Sequence, residues 1–188
     1  LVLFMIPILI SNLINQLYAL MDSVVIGQFL GSNALAAVGT TGPIVFLVIG
    51  FAQGISTGLG LKVTQKFGSK KIEDVKSSMG ISYLIALTLS FILTILCVFT
   101  AGYLLEWMHV PPALFKDSHQ YITVIYLGII CSIFSTLLVA ILQGFGNSRV
   151  PLYIMIITSV LNVILDVVLI GVFKMPVFVS ALTNVCAQ

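Results

Sequence analysis

Hydrophobic and polar positions fall along this chain in long blocks rather than in fine alternation. Five apolar runs, each long enough to cross a bilayer, are separated by short breaks, and a sixth begins near the carboxyl end. A spanning helix needs about 20 mostly apolar residues. That ruler predicts a first span from before residue 1 to about 29, and further spans over roughly 34–61, 77–105, 118–143 and 150–173. A sixth starts near Pro176. The turn between the first two spans offers Ser32 or Asn33 as a helix N-cap. In the second span, Gly54 and Gly58 fit the small-xxx-small pattern by which membrane helices approach closely. Pro7 and Pro43 each delete one backbone hydrogen bond, which makes both candidate kinks. The expected fold class is an all-α membrane protein, a polytopic bundle of about six transmembrane helices.

Composition agrees with that pattern. Hydrophobic residues make up 60% of the chain, charged residues 7%, and the mean hydropathy is +1.20, where a soluble domain carries about 25% charged residues. The net charge of +2 matters less than its placement. Five of the eight basic residues (Lys62, Lys66, Lys70, Lys71, Lys76) share one window between the second and third spans. Between apolar spans such a cluster reads as a cytoplasmic loop obeying the positive-inside rule, and no nucleic-acid partner is implied. Arg149 puts the short turn after the fourth span on the same side. The intervening loops are then external, and the amino end is cytoplasmic, in a cell (inner) membrane; Lys174 is a mild exception to the alternation. Cys97, Cys131 and Cys186 show neither metal spacing nor a disulfide framework. The chain begins at Leu1 inside apolar sequence, with no signal-peptide pattern, and ends at Gln188 within the segment that starts near Pro176. It is expected to be a fragment, residues 1–188 forming one transmembrane unit truncated in its first and sixth helices.

Six acidic residues raise the question of chemistry. Glu73, Asp74, Glu106 and Asp117 fall in expected loops, where a charge is simply solvated. Asp22 and Asp166 fall inside spans, where a central Asp costs about 2.5–3.5 kcal/mol, so each is a functional candidate. Asp22 lies nine residues before Gly31 and Asp166 eight before Lys174, which at 1.5 Å per residue puts both roughly 12–14 Å inside the external boundary. Ser11, Asn15, Tyr18 and Asp22 share one stripe of the first helix, and Ser159 (or Thr158), Asn162 and Asp166 share one of the fifth. No lysine or arginine sits at that depth. The balancing positive charge is then a proton, a metal cation or a cationic ligand; the bland alternative is a protonated, hydrogen-bonded structural Asp. Two carboxylates in one low-dielectric cavity suit proton exchange, and Asn162 could offer an amide oxygen to Na⁺.

Three stretches carry a resemblance. "P…NQLYALMDSVVIGQFLGSNALAAVG" over 7–39, "ILQGFGNSRVPLY" over 141–153 and "LNVILDVVLI" over 161–170 resemble the amino-terminal half of a multidrug and toxic compound extrusion (MATE) transporter. The resemblance covers nearly the whole chain. It implies twelve helices in two six-helix lobes, alternating access, and a carboxy-terminal lobe of the same protein as partner to this one. It implies exchange of H⁺ or Na⁺ for small organic, usually cationic and amphipathic, compounds across a lipid membrane. It also implies a cation or proton site at Asp22, Asp166 and Asn162, with Tyr18 and Asn15 beside it and a possible Na⁺ at the first three. Where the family has a "GAAxAT" run, this chain reads "VSALTN" over 179–184. The family's threonine falls on Asn184, with Thr183 beside it, and Gln188 fits the glutamine closing that run.

The leading expectation is therefore a secondary active antiporter exporting drugs and toxins, without a cofactor or structural metal, and with Pro7 as a candidate hinge. A lipid-linked saccharide flippase of related fold is the near alternative, but no basic residue for a pyrophosphate appears in these spans. An intramembrane aspartyl protease also pairs two membrane acids, yet its Gly-x-Gly-Asp run is absent from "ILDV". His109 and His119 lie near an external loop, away from the acids, and the glycines form no phosphate loop. No enzyme is expected.

Overall fold

A computed structural model describes residues 2–69 and 72–188. Its elements are α1 (Val2–Phe29), α2 (Ser32–Gly68), α3 (Ile72–Trp107), α4 (Pro112–Leu127), α5 (Ile129–Gly144), α6 (Arg149–Asp166), a π-helical turn (Val167–Val172) and α7 (Phe178–Ala187). Four helical stretches are long and apolar enough to cross a membrane, and α4 with α5, bent by 45° at Gly128, makes a fifth. Helices are the solution that closes every backbone hydrogen bond within a span. α1 and α2 run unbroken through Pro7 and Pro43. The outward faces are apolar, with Leu13, Leu17, Phe46, Leu47, Phe99 and Ile157 all exposed as a lipid-facing surface requires.

Several boundaries differ from the sequence expectation. Gly31, at φ 88°, is the N-cap of α2, so neither Ser32 nor Asn33 caps it. α2 extends to Gly68 and α3 starts at Ile72, so the basic window is mostly helix ends rather than loop. Lys62 and Lys66 lie on α2, Lys76 on α3, and Lys70 and Lys71 lie outside the described residues. Glu73 and Asp74 occupy the first turn of α3, where acids complement the helix dipole, and Lys66 pairs with Asp74 at 3.8 Å. Glu106 and Asp117 are likewise helical, on α3 and α4. Pro112 moves the start of the fourth span forward by occupying N1, where its missing N–H costs nothing.

The small-residue packing also falls on a different face. Gly54 and Gly58 are exposed and face open space. The buried row of α2 is Ala52, Ser56 and Gly60, with Val63 beyond it, one face over and with the same spacing of four. A Cβ at Gly60 would lie 2.6 Å from that of Ala140, and one at Gly144 would collide with Thr64. α2 and α5 therefore cross with their backbones nearly touching, around a core that includes Ile129, Ile133, Leu137 and Ile141. α1 lies along α6, and α7 is held between α4 and α6. At the other end, Val25, Ile26, Tyr121, Ile170 and Val177 form a second apolar cluster.

The two rows can be told apart by identical substitutions. Gly60→Ala should lower the thermal midpoint of the purified complete protein, an overpacking cost of about 1–3 kcal/mol. Gly54→Ala should leave the midpoint unchanged or slightly raised. Equal losses for both would refute the assignment of the packing face.

Candidate functional site

α1 and α6 run side by side, and each brings its polar stripe inward at the same levels. Asp166 is fully buried, and Asn162, one turn earlier, is 2% exposed; Asp22 is half-buried on the facing side of α1. The two carboxyls lie beside one another. The depth match read from the sequence is thus also a meeting in space. Asp166 closes the α-helical part of its span, and the chain then widens into the π turn. Such turns recur at functional sites in helices. Gly171 within it lets the Phe29 ring pack close, since a Cβ there would lie 3.2 Å from the ring.

The partners of the acids come from α7. Ser180 Oγ donates to Asp22 Oδ1 at 2.7 Å, and the Thr183 hydroxyl donates to Asp166 Oδ1. The Ser180 carbonyl oxygen is a second acceptor for Thr183, at 2.8 Å. With one proton to give, the threonine can turn to the carboxylate or to its own helix, so it can follow the charge state of Asp166. Asp166 Oδ2 and both polar atoms of Asn162 have no hydrogen-bond partner among the described residues.

Asn184 sits one level deeper and away from the acids. Its Nδ2 donates to the Tyr18 hydroxyl at 2.7 Å, its Oδ1 accepts from Gln188 Nε2 at 2.9 Å, and Ser132 Oγ donates to Gln188 Oε1 at 2.6 Å. The polar side chain retained at the family's threonine position therefore bonds Tyr18, while Ser180 and Thr183 meet the acids. Sequence reasoning passed over Ser180 altogether. The available signal was spacing: Ser180 and Thr183 are three apart, on one face of a short helix.

Below this layer opens a cavity of about 460 Å³, lined by α1, α2, α5, α6 and α7. Asn15 and Tyr18 border it from α1 and Asn162 from α6, whereas Asp22 and Asp166 stand beyond them and outside the lining. On the far side of the acids, the second apolar cluster begins within about one turn, at Val25, Ile26 and Ile170. The order along the membrane normal is polar cavity, amide and phenol layer, carboxyl pair, apolar cap. Pro7 lies on α1 well before this sequence of layers, and Ser11 Oγ donates to its carbonyl at 2.8 Å. His109 and His119 do not join the acids, and among the described residues no cluster of metal-ligating side chains occurs.

α7 reaches this position because of a glycine. A Cβ on Gly128, at the α4–α5 bend, would run into Val185 of α7 and lie 3.2 Å from its Cβ. The bend and the missing side chain together let α7 dock.

Fold and site define a multi-pass, all-helical membrane protein with a polar cavity and two carboxyls within its spans. The chain belongs to the MatE family, whose model matches residues 7–168; members of that family are transporters, not enzymes. It is 29% identical over 176 residues to the probable multidrug resistance protein YoeA of Bacillus subtilis (strain 168), covering 93% of this chain and 38% of that protein. It is 25% identical over 179 residues to the multidrug export protein MepA of Staphylococcus saprophyticus, covering 95% and 40%. A MATE solved in the straight conformation matches with a TM-score of 0.89 at 25% identity, over 99% of this chain and 41% of that one. An outward-facing multidrug resistance MATE family transporter of the MOP superfamily matches with a TM-score of 0.89 over 97% and 40%; at 24% identity that likeness shows the fold alone. The chain thus spans about 40% of the length of the relatives it matches.

The Thr183 contact predicts a specific pattern of stability. Thr183→Val should destabilise the protein by about 1–3 kcal/mol, because it strands a buried carboxyl oxygen. Thr183→Ser should stay near the parent. Thermal midpoints of the two variants check this, and a loss in Thr183→Ser as large as that in Thr183→Val would mean that the methyl group contributes as much as the hydroxyl.

Proposed function

We propose that this chain is the amino-terminal lobe of a cation-coupled multidrug antiporter, with Asp22 and Asp166 as its coupling site. The observation that carries the reading is the pair of adjoining carboxyls at the end of a membrane-depth cavity, with hydroxyl donors but, among the described residues, no basic side chain beside them. Intramembrane acids mark ion and proton pathways, and a pair without a fixed counter-charge must take its positive charge from a mobile one. In this reading Asp22 and Asp166 bind H⁺ or Na⁺, and Asn162 supplies an amide to the ion. Tyr18, Asn15 and Asn184 join the site to the cavity. Loading from outside neutralises the pair and favours release of cargo outward. Unloading restores the charge and the affinity for organic compounds of the cationic or amphipathic kind. A ligand shifts such an equilibrium only by its differential affinity for the two states, and the Thr183 hydroxyl, with two alternative acceptors, is one group whose bonding differs between them. Pro7, which removes one rung from α1, is the proposed hinge.

The multidrug-resistance and export names of the relatives support this reading. The second lobe of the same polypeptide is the proposed partner. Basic residues gathered at the ends of α2 and α3 and at the start of α6 support an amino end on the cytoplasmic side of the cell membrane.

The test uses the complete protein in proteoliposomes, with pH and Na⁺ gradients imposed separately. Asp22→Asn and Asp166→Asn should each abolish gradient-driven drug efflux, while the parent responds to at least one of the two gradients. Undiminished efflux in both variants would sink the assignment of the pair.

A further inference from the structure

At the end of the bundle away from the apolar cap, three helix ends that carry basic residues are drawn together by two contacts. Phe67, near the end of α2, packs on Phe145 just past α5, with ring centroids 4.4 Å apart, and the chain turns from there into α6 at Arg149. Lys66 of α2 pairs at 3.8 Å with Asp74 in the first turn of α3. The exposed side chains of Lys62, Lys66, Lys76 and Arg149 thus share one rim, four cations against the two acids Glu73 and Asp74. Among the described residues, Lys62, Lys76 and Arg149 have no carboxylate partner.

The rim lies at a particular depth. α2 is one unbroken helix from Ser32, so Lys62 stands about 45 Å along it from the opposite end. A bilayer with its headgroups is about 40–45 Å thick, which puts these charges level with lipid phosphates. Directly beneath them the surface is apolar and exposed: Leu61 precedes Lys62, and Tyr153 and Ile157 follow Arg149 on one face of α6 at spacings of four. Acyl chains suit Leu61 and Ile157, and a tyrosine such as Tyr153 suits the boundary between chain and headgroup. The positive-inside rule counts loop charges and needs no such gathering of helices distant in sequence.

We propose that this rim binds anionic phospholipids, their phosphates held against Arg149, Lys62 and Lys76. The guanidinium of Arg149 can meet two phosphate oxygens at once, and the lysines act as point charges. Lipid bound there would fasten the start of α6, the helix that carries Asn162 and Asp166, to the ends of α2 and α3. The inference goes beyond the transport reading and is independent of the coupling ion and the cargo.

In the test, the complete protein in an uncharged detergent is offered equal amounts of phosphatidylglycerol and phosphatidylcholine with identical acyl chains. Mass spectrometry then counts the lipid that stays bound after washing. Phosphatidylglycerol should be retained in preference, and less of it as salt is raised. Arg149→Gln and Lys62→Gln should each weaken that retention about fivefold, the share of one basic residue near a charged lipid surface. Arg149→Lys should keep part of it, and Lys116→Gln, at the opposite end of the bundle, should change nothing. Unchanged thermal midpoints in detergent alone show that the variants fold. Equal retention of both lipids, or full retention of phosphatidylglycerol by both glutamine variants, would overturn the proposal. Displacement of the lipid by inorganic phosphate at matched concentration would also overturn it, since the rim would then be a site for the free anion. Glutamine variants that lose thermal stability in lipid-free detergent yet retain phosphatidylglycerol would show that the cations pair with protein, and the proposal would again fail.

Discussion

Two carboxyl groups placed where the bilayer offers neither water nor counter-charge constrain everything around them. Each ionised oxygen at that depth needs a donor or a mobile cation, and the fold provides the donors from one short helix. Ser180 reaches Asp22 on α1 and Thr183 reaches Asp166 on α6, so α7 ties the two helices together through their acids. A change in charge at either acid is therefore a change in what fastens α1 to α6. That link between charge and helix contact is what an ion-coupled conformational change requires.

The rest of the architecture can be traced to the need to bring α7 into place. The α4–α5 span bends at Gly128, and the absence of a side chain there admits Val185. The π turn after Asp166 and the close approach of Phe29 to Gly171 shape the exit of α6 into the loop that returns as α7. Beyond the acids, the apolar cluster from Val25 to Val177 closes the site on one side, while the cavity opens on the other. The site is thus one-sided within this unit: polar groups decrease in number and increase in charge on passing from the cavity to the cap.

Much of this was legible in the residues. The spans follow from apolar run length, because hydrocarbon thickness leaves little freedom in how long a crossing helix must be. Asp22 and Asp166 stood out because a charge in such a run is expensive, and their matched depth followed from helical rise alone. Other features depended on rotation and contact. Gly54 and Gly58 satisfy the small-xxx-small spacing as well as Ala52, Ser56 and Gly60 do, and only the position of α5 selects the second row. The lysine window looked like a loop because charge ends an apolar run, yet α2 and α3 continue as helix several residues past their apolar runs.

By itself, then, the sequence determined the class of protein, the rough extent of the spans, and which two acids fall inside them, since these follow from the transfer free energy of each residue taken one at a time. Tertiary structure decided which acids meet, and that Ser180 and Thr183 rather than Asn184 serve them. It decided that the carboxamides of five separate helices converge on one cavity from which the carboxyls are set back. Those are properties of distance between residues far apart in the chain, as far as the 158 positions from Asp22 to Ser180. No local pattern encodes them, because the azimuth of each helix is set by the helices it packs against.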